Sequence, residues 1–118
     1  MVTIYGYKKC STCMKAKKFL SENNKDVTFI DMVEDRLDKG TISDVIAQSG
    51  EDIDSFFNTR GKKFKVLELK DKLPAMSDDE KLDVLASDGM LIKRPITVSS
   101  DAVVIGFNEN TYRETFKL

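Results

Sequence analysis

The sequence has no histidine, only two prolines and only two cysteines. Without histidine, Ser-His-Asp and Cys-His nucleophile schemes are excluded, as is every imidazole metal site. Two cysteines alone cannot complete a four-ligand zinc site. No apolar run approaches the roughly 18 residues of a membrane span. Neither a GxGxxG nor a P-loop pattern occurs, so no bound nucleotide cofactor is expected. An excess of one charge is missing too: 19 basic residues stand against 20 acidic ones, for a net charge of −1. That balance argues against direct nucleic-acid binding. The N-terminal MVTIYGYKK carries its apolar stretch before its lysines, the reverse of a signal peptide. The expected compartment is therefore cytoplasmic, where cysteine pairs serve catalysis or redox sensing more often than stapling. No feature signals an oligomer, so a monomer is expected.

What is present suits one α/β domain: 118 residues, 41% hydrophobic and 33% charged. Val2 to Tyr5 is β-branched and aromatic, with Gly6 as a stop, and reads as a short strand. From Ser11 the period changes; Cys13, Ala16, Phe19 and Leu20 share one helical face until Asn23-Asn24. Val27 to Ile30 is a second strand, so strand–helix–strand forms a βαβ unit with parallel strands. The middle reads as helical. Thr41 or Ser43 caps a helix that stops at Gly50, and Asp52 caps a short one ended by Gly61. Lys62 to Leu69 leans helical, and Ser77 with Glu80 is a capping box for a helix stopped by Gly89. Ile96–Val98 and Val103–Ile105 make an antiparallel hairpin, and Glu109–Phe116 closes the chain as a helix. The order predicts one mixed sheet with helices packed on it.

Both thiols lie in Tyr7–Leu20, YKKCSTCMKAKKFL, amid five lysines and before any acidic residue. Cys10 falls where the first strand hands over to the first helix. A helix N-terminus offers unpaired N–H groups and about half a positive charge, which stabilise a thiolate. Lys8, Lys9 and Lys15 are placed to add to this, subject to salt screening. Cys13 lies about one turn on, within disulfide reach and at the head of the apolar stripe. The pattern assigns attack to Cys10 and resolution of the mixed disulfide to Cys13. Two competing readings are a pair of incidental thiols and a zinc knuckle shared between chains. CxxC after a strand and opening a helix favours redox chemistry over both.

Arg94-Pro95 precedes the hairpin. Its plain reading is a strand start, where proline is tolerated; its sharper reading is a cis peptide that brings backbone against the thiols. Arg60 and Arg94 can each hold a carboxylate or oxyanion in two-pronged fashion, or simply be solvated charges. Asp78-Asp79-Glu80 reads as a favourable helix N-terminus and nothing more.

Four stretches together carry a family resemblance: Cys10-Ser11-Thr12-Cys13-Met14-Lys15-Ala16, Asn58-Thr59-Arg60-Gly61, Leu91-Ile92-Lys93-Arg94-Pro95-Ile96 and Val104-Ile105-Gly106-Phe107. In this order they resemble the arsenate reductase (ArsC)/Spx family over the whole chain, above all its short firmicute members. The resemblance implies a single domain over 1–118, with a thioredoxin-like core of about 1–31 and 90–118 and a helical insertion of about 41–88. It implies that Pro95 is cis and shapes the substrate groove, and that Arg60 and Arg94 face the Cys10 site to bind an oxyanion. It implies a thiol or disulfide substrate, with glutathione, a thioredoxin or a glutaredoxin as electron donor. The sequence also differs from each branch of the family. Glutaredoxin-linked arsenate reductases have serine at the place of Cys13, arginine at that of Lys15 and histidine at that of Gly6. They also have an arginine in the Val104–Phe107 region that is absent here. Spx regulators carry CxxC as a redox switch and bind the RNA polymerase α subunit, with a glycine at the place of Asp52 and a C-terminal extension absent here. The function expected is a cytoplasmic thiol–disulfide oxidoreductase, with arsenate reduction and redox-sensing transcriptional regulation as the alternatives.

Overall fold

The computed structural model describes residues 2–118. Alternation sets the first strand, β1 (Val2–Gly6): Val2, Ile4 and Gly6 are buried, and Thr3 and Tyr5 are half-buried. There follow α1 (Ser11–Glu22), β2 (Val27–Asp31), α2 (Lys39–Ser49), α3 (Lys62–Val66), α4 (Leu69–Lys72), α5 (Asp78–Ser87), β3 (Ile96–Val98), β4 (Val103–Ile105) and α6 (Glu109–Phe116). Short 3-10 turns occupy Ile53–Phe56, Leu73–Ala75 and Gly89–Leu91. The chain forms two compact units. One runs to Met32 and resumes at Arg94–Leu118; the other is Val33–Lys93.

The first unit holds the sheet, ordered β2-β1-β3-β4. β1 and β2 are parallel, as their α1 connection requires, with Ile4 opposite Phe29 and Gly6 opposite Asp31. β3 runs antiparallel to both β1 and β4, with Ile4 opposite Thr97 and Ile96 opposite Ile105. This mixed sheet with its βαβ and ββα halves is the thioredoxin-like arrangement. Gly6 extends the first strand rather than stopping it.

Cys13, Ala16 and Leu20 form the buried stripe of α1. Val2, Ile4, Ala16, Leu20, Tyr112 and Phe116 make the core, flanked by Phe19, Phe29 and Phe107. Each large aliphatic buried there contributes about 1.5–3 kcal/mol. α1 ends at the paired asparagines. The Asn23 side-chain amide donates to the Phe19 carbonyl at 2.8 Å, and Asn24 takes φ 62°, a left-handed geometry that asparagine tolerates.

The second unit is helical, and its start differs from the expectation. The cap of α2 is Asp38, whose Oδ1 accepts the Thr41 N–H at 2.7 Å; Thr41 and Ser43 lie inside the helix. A charged acceptor three residues earlier satisfies the free N–H groups and extends the helix through Lys39-Gly40. Gly50 ends it at φ 70°. Asp52 caps a 3-10 turn by accepting the Asp54 N–H, whereas Gly61 opens α3 rather than ending the preceding turn. Lys62–Leu69 is helical but broken by Glu68 at φ 55°. Both halves of the Ser77–Glu80 box form, at 3.2 Å each. α5 stops at Ser87, because Asp88 turns its carboxylate to the Met90 N–H at 2.8 Å and opens the next turn. Among the described residues no helix is long and apolar enough to cross a membrane.

Candidate active site

The site is built within the sheet-bearing unit, at the end of β1. Past Gly6 the chain turns, with the Cys10 N–H donating to the Tyr7 carbonyl at 2.9 Å. The Lys8 N–H donates to the buried Asp31 carboxylate at 3.0 Å, which anchors the loop to β2. This leaves Cys10 as the N-cap of α1, a position usually held by an oxygen acceptor. Its sulfur accepts the Cys13 N–H at 3.4 Å. No acidic residue occupies the first turn, so the positive end of the helix is unopposed. Both cysteines are free thiols; Cys10 is half-buried and Cys13 fully buried.

Two effects compete at Cys10. Burial pushes its thiol up; hydrogen bonds from the Cys13 side chain and backbone, then the Arg94 guanidinium and its charge, pull it down, and the net is below the ordinary thiol value. Cys13 goes the other way. Burial, then the hydrogen bond and charge of Cys10, push it up to about 12 against the Tyr7 amide and Arg94. The pair is therefore asymmetric: Cys10 is the first of the two to ionise, and Cys13 keeps its proton at neutral pH. The cation that acts on Cys10 is Arg94, not the lysines that crowd the sequence; Lys8, Lys9 and Lys15 are exposed.

Arg94 lies just before β3. Its Nε and Nη1 are buried and have no hydrogen-bond partner among the described residues, and its guanidinium stands 5.8 Å from the Tyr7 ring centroid. Buried unpaired donors are costly, on the order of 1–3 kcal/mol or more when charged, so a group left this way is suited to an acceptor brought from outside. The Arg94–Pro95 peptide is cis. Pro95 is buried and precedes Ile96, whose β1 partner is Tyr5, so it lies at the same end of the sheet as Gly6. Its carbonyl accepts the Gly106 N–H at 2.7 Å.

Gly6 is a site residue that sequence reasoning passed over. A Cβ there would lie 2.9 Å from Cys13 Sγ and 3.1 Å from Phe29 Cζ. The buried thiol therefore occupies the space that any other residue at position 6 would fill. A glycine one loop before CxxC is the signal that could have found it. Arg60 belongs to the helical unit. It is exposed in the Asn58–Gly61 turn, which the Asn58 N–H ties to the Leu91 carbonyl at 2.8 Å.

A four-stranded thioredoxin-like sheet with a dithiol at a helix N-terminus and a cis-proline at the same end of the sheet defines a thioredoxin-fold protein carrying a CxxC pair. The chain belongs to the ArsC family, whose profile matches residues 5–115. It is 46% identical to the uncharacterised protein YusI of Bacillus subtilis, over 98% of each chain. It is also 46% identical to SACOL0876 of Staphylococcus aureus, whose solution structure superposes with a TM-score of 0.87 over 97% of each chain. The global transcriptional regulator Spx 1 of Oceanobacillus iheyensis is 27% identical over 96% of this chain and 85% of that protein.

Proposed function

We propose that the protein is a cytoplasmic thiol–disulfide oxidoreductase. The observation that carries this is the placement of the two thiols: Cys10 caps α1 and accepts the Cys13 N–H at 3.4 Å, while Cys13 is buried over Gly6. The Cys10 thiolate attacks a substrate disulfide; a bond from Cys10 to one substrate sulfur forms and the other sulfur leaves as thiolate. Once Cys10 is bonded, its own charge and hydrogen bond no longer oppose ionisation of Cys13. The two effects of Cys10 that raised the Cys13 thiol vanish together, leaving burial against Arg94 and the Tyr7 amide. Cys13 then loses its proton and attacks Cys10, expelling the second substrate thiolate and closing the Cys10–Cys13 disulfide. Two glutathione molecules, which leave as glutathione disulfide, or one dithiol thioredoxin or glutaredoxin return the pair to the dithiol. Pro95 walls the groove, and the unpaired nitrogens of Arg94 hold an anionic group of the substrate. A glutathionyl carboxylate fits this chemistry.

Thiol exchange is favoured over arsenate reduction by Gly6, which provides space for a second sulfur where the arsenate-reducing pattern has histidine. Titrating the alkylation of Cys10 tests the reading. The midpoint is expected below that of a free thiol, because the native site stabilises the thiolate. Arg94→Ala removes a cation and should raise the midpoint by about half to one pH unit, a roughly three- to ten-fold loss of thiolate at fixed pH below it. A wild-type midpoint equal to that of an ordinary cysteine rules the reading out.

A second reading, a redox-responsive regulator that binds the RNA polymerase α subunit, draws support from the similarity to Spx 1 over 96% of this chain and 85% of that protein. It requires that tagged protein retain the α subunit from lysate, with a yield that changes when Cys10 and Cys13 are oxidised. No retention in either redox state ends it.

A further inference from the structure

Tyr112 is wholly buried on α6, in a core that phenylalanine would fill equally well. Its ring is gripped edge-on by Phe107, Phe116 and Phe19 at centroid distances of 5.0, 5.3 and 6.2 Å. A hydroxyl there is unfavourable unless it is paired, since burying it unpaired costs about 1–3 kcal/mol. It has two partners. It donates to the Gly106 carbonyl at 3.2 Å, and it meets Thr97 Oγ1, which is also wholly buried, at 2.5 Å. A phenol has one proton, so with that proton on Gly106 the Thr97 hydroxyl is the donor in the second bond.

Both partners flank Pro95. Thr97 is two residues after it on β3. Gly106, at φ 83° just past β4, donates its N–H to the Pro95 carbonyl at 2.7 Å. The positive φ is a conformation open to glycine, and it lets one peptide face Pro95 with its N–H while its carbonyl meets Tyr112. A chain of hydrogen bonds thus runs from Tyr112 through Gly106 to Pro95, the neighbour of Arg94.

We propose that the Tyr112 hydroxyl is a positioning group for the Cys10 site: it locks the Pro95 end of the β3–β4 hairpin and thereby holds the Arg94 guanidinium beside the thiol. This rests on the thiol–disulfide reading above. Burial pushes the Tyr112 hydroxyl up to about 12 against the hydrogen bond from Thr97, so it keeps its proton and remains a donor at neutral pH. Arg94 Nε and Nη1 have no hydrogen-bond partner among the described residues, so they do not tie the guanidinium down and the backbone that carries it contributes to its placement.

The test is a double-mutant cycle read by the pH midpoint of Cys10 alkylation in the full chain. Tyr112→Phe keeps the ring and removes the oxygen. It should raise the midpoint by about half a pH unit, a roughly three-fold loss of thiolate at fixed pH below it. In an Arg94→Ala background the same change should shift nothing further. Leu85→Ala, a core change in the helical unit, should lower Tm and leave the midpoint alone. Thr97→Val removes the other partner and should shift the midpoint in the same direction, which covers a Tyr112→Phe chain that fails to fold. A low wild-type midpoint that neither variant moves, or a shift of equal size with and without Arg94, overturns the clamp alone. A wild-type midpoint equal to that of a free thiol overturns the clamp and the oxidoreductase reading together.

Discussion

Cys10→Ser should reduce disulfide reductase activity to the uncatalysed background, while Cys13→Ser should bind substrate covalently and fail to release it. The two outcomes differ because the sulfurs sit in opposite environments. A serine hydroxyl at position 10 does not ionise near neutral pH, so neither the helix N-terminus nor Arg94 has an anion to stabilise and no nucleophile forms. At position 13 the first step survives, since the backbone N–H of residue 13 still donates to Cys10 Sγ and a serine hydroxyl there can replace the side-chain hydrogen bond of Cys13. What is lost is the sulfur that expels the second half of the substrate. Non-reducing mass spectrometry should find a mixed disulfide on Cys10 in Cys13→Ser and none in Cys10→Ser. The wild-type resolution step should quicken as pH rises, because Cys13 must still ionise against its burial before it can attack. Equal turnover by both variants and the wild type would end the enzyme reading.

The second large effect is expected at a residue with no side chain. Gly6→Ala places a methyl group 2.9 Å from Cys13 Sγ and 3.1 Å from the Phe29 ring, closer than carbon atoms settle. Either the sulfur turns out of its pocket or the strand moves, and overpacking of this kind costs about 1–3 kcal/mol. Chemical denaturation should show that loss. Turnover should fall further than stability alone accounts for, with mixed disulfide accumulating as in Cys13→Ser. Adding Cys13→Ser to Gly6→Ala should recover part of the stability, since the shorter C–O bond draws the atom away from the new methyl and the Tyr7 amide is there to serve it. Stabilities that simply add would refute the contact as the cause.

Much of the frame was legible in the sequence. Val2–Tyr5, Val27–Ile30 and the two segments around Ser99-Ser100 are β-branched, and the Cys13–Ala16–Leu20 spacing gives α1 its buried face. Their order then leaves few ways to pair the strands. Ser77 with Glu80 was readable because both halves of a reciprocal cap are local in sequence. The start of α2 was not: Asp38, Thr41 and Ser43 are all capping residues, and periodicity alone does not choose among them. The site was legible in part. Cys10 and Cys13 announced themselves by spacing, but the lysines beside them drew attention that belongs to Arg94, which comes much later in the sequence. The space over Gly6 was hidden because a missing Cβ matters only once Cys13 lies against it. The Tyr112 oxygen was hidden because an apolar stripe records that a ring is buried, not what its hydroxyl touches.

The interruption of the sheet-bearing unit by Val33–Lys93 bears on how the protein is made. During synthesis the CxxC segment leaves the ribosome long before Arg94, Pro95 and Tyr112 have been translated. Until then its sulfurs lack both the guanidinium and the proline wall. Nascent or prematurely terminated chains would accordingly carry cysteines closer to ordinary ones, and full reactivity would be conferred only on the finished polypeptide.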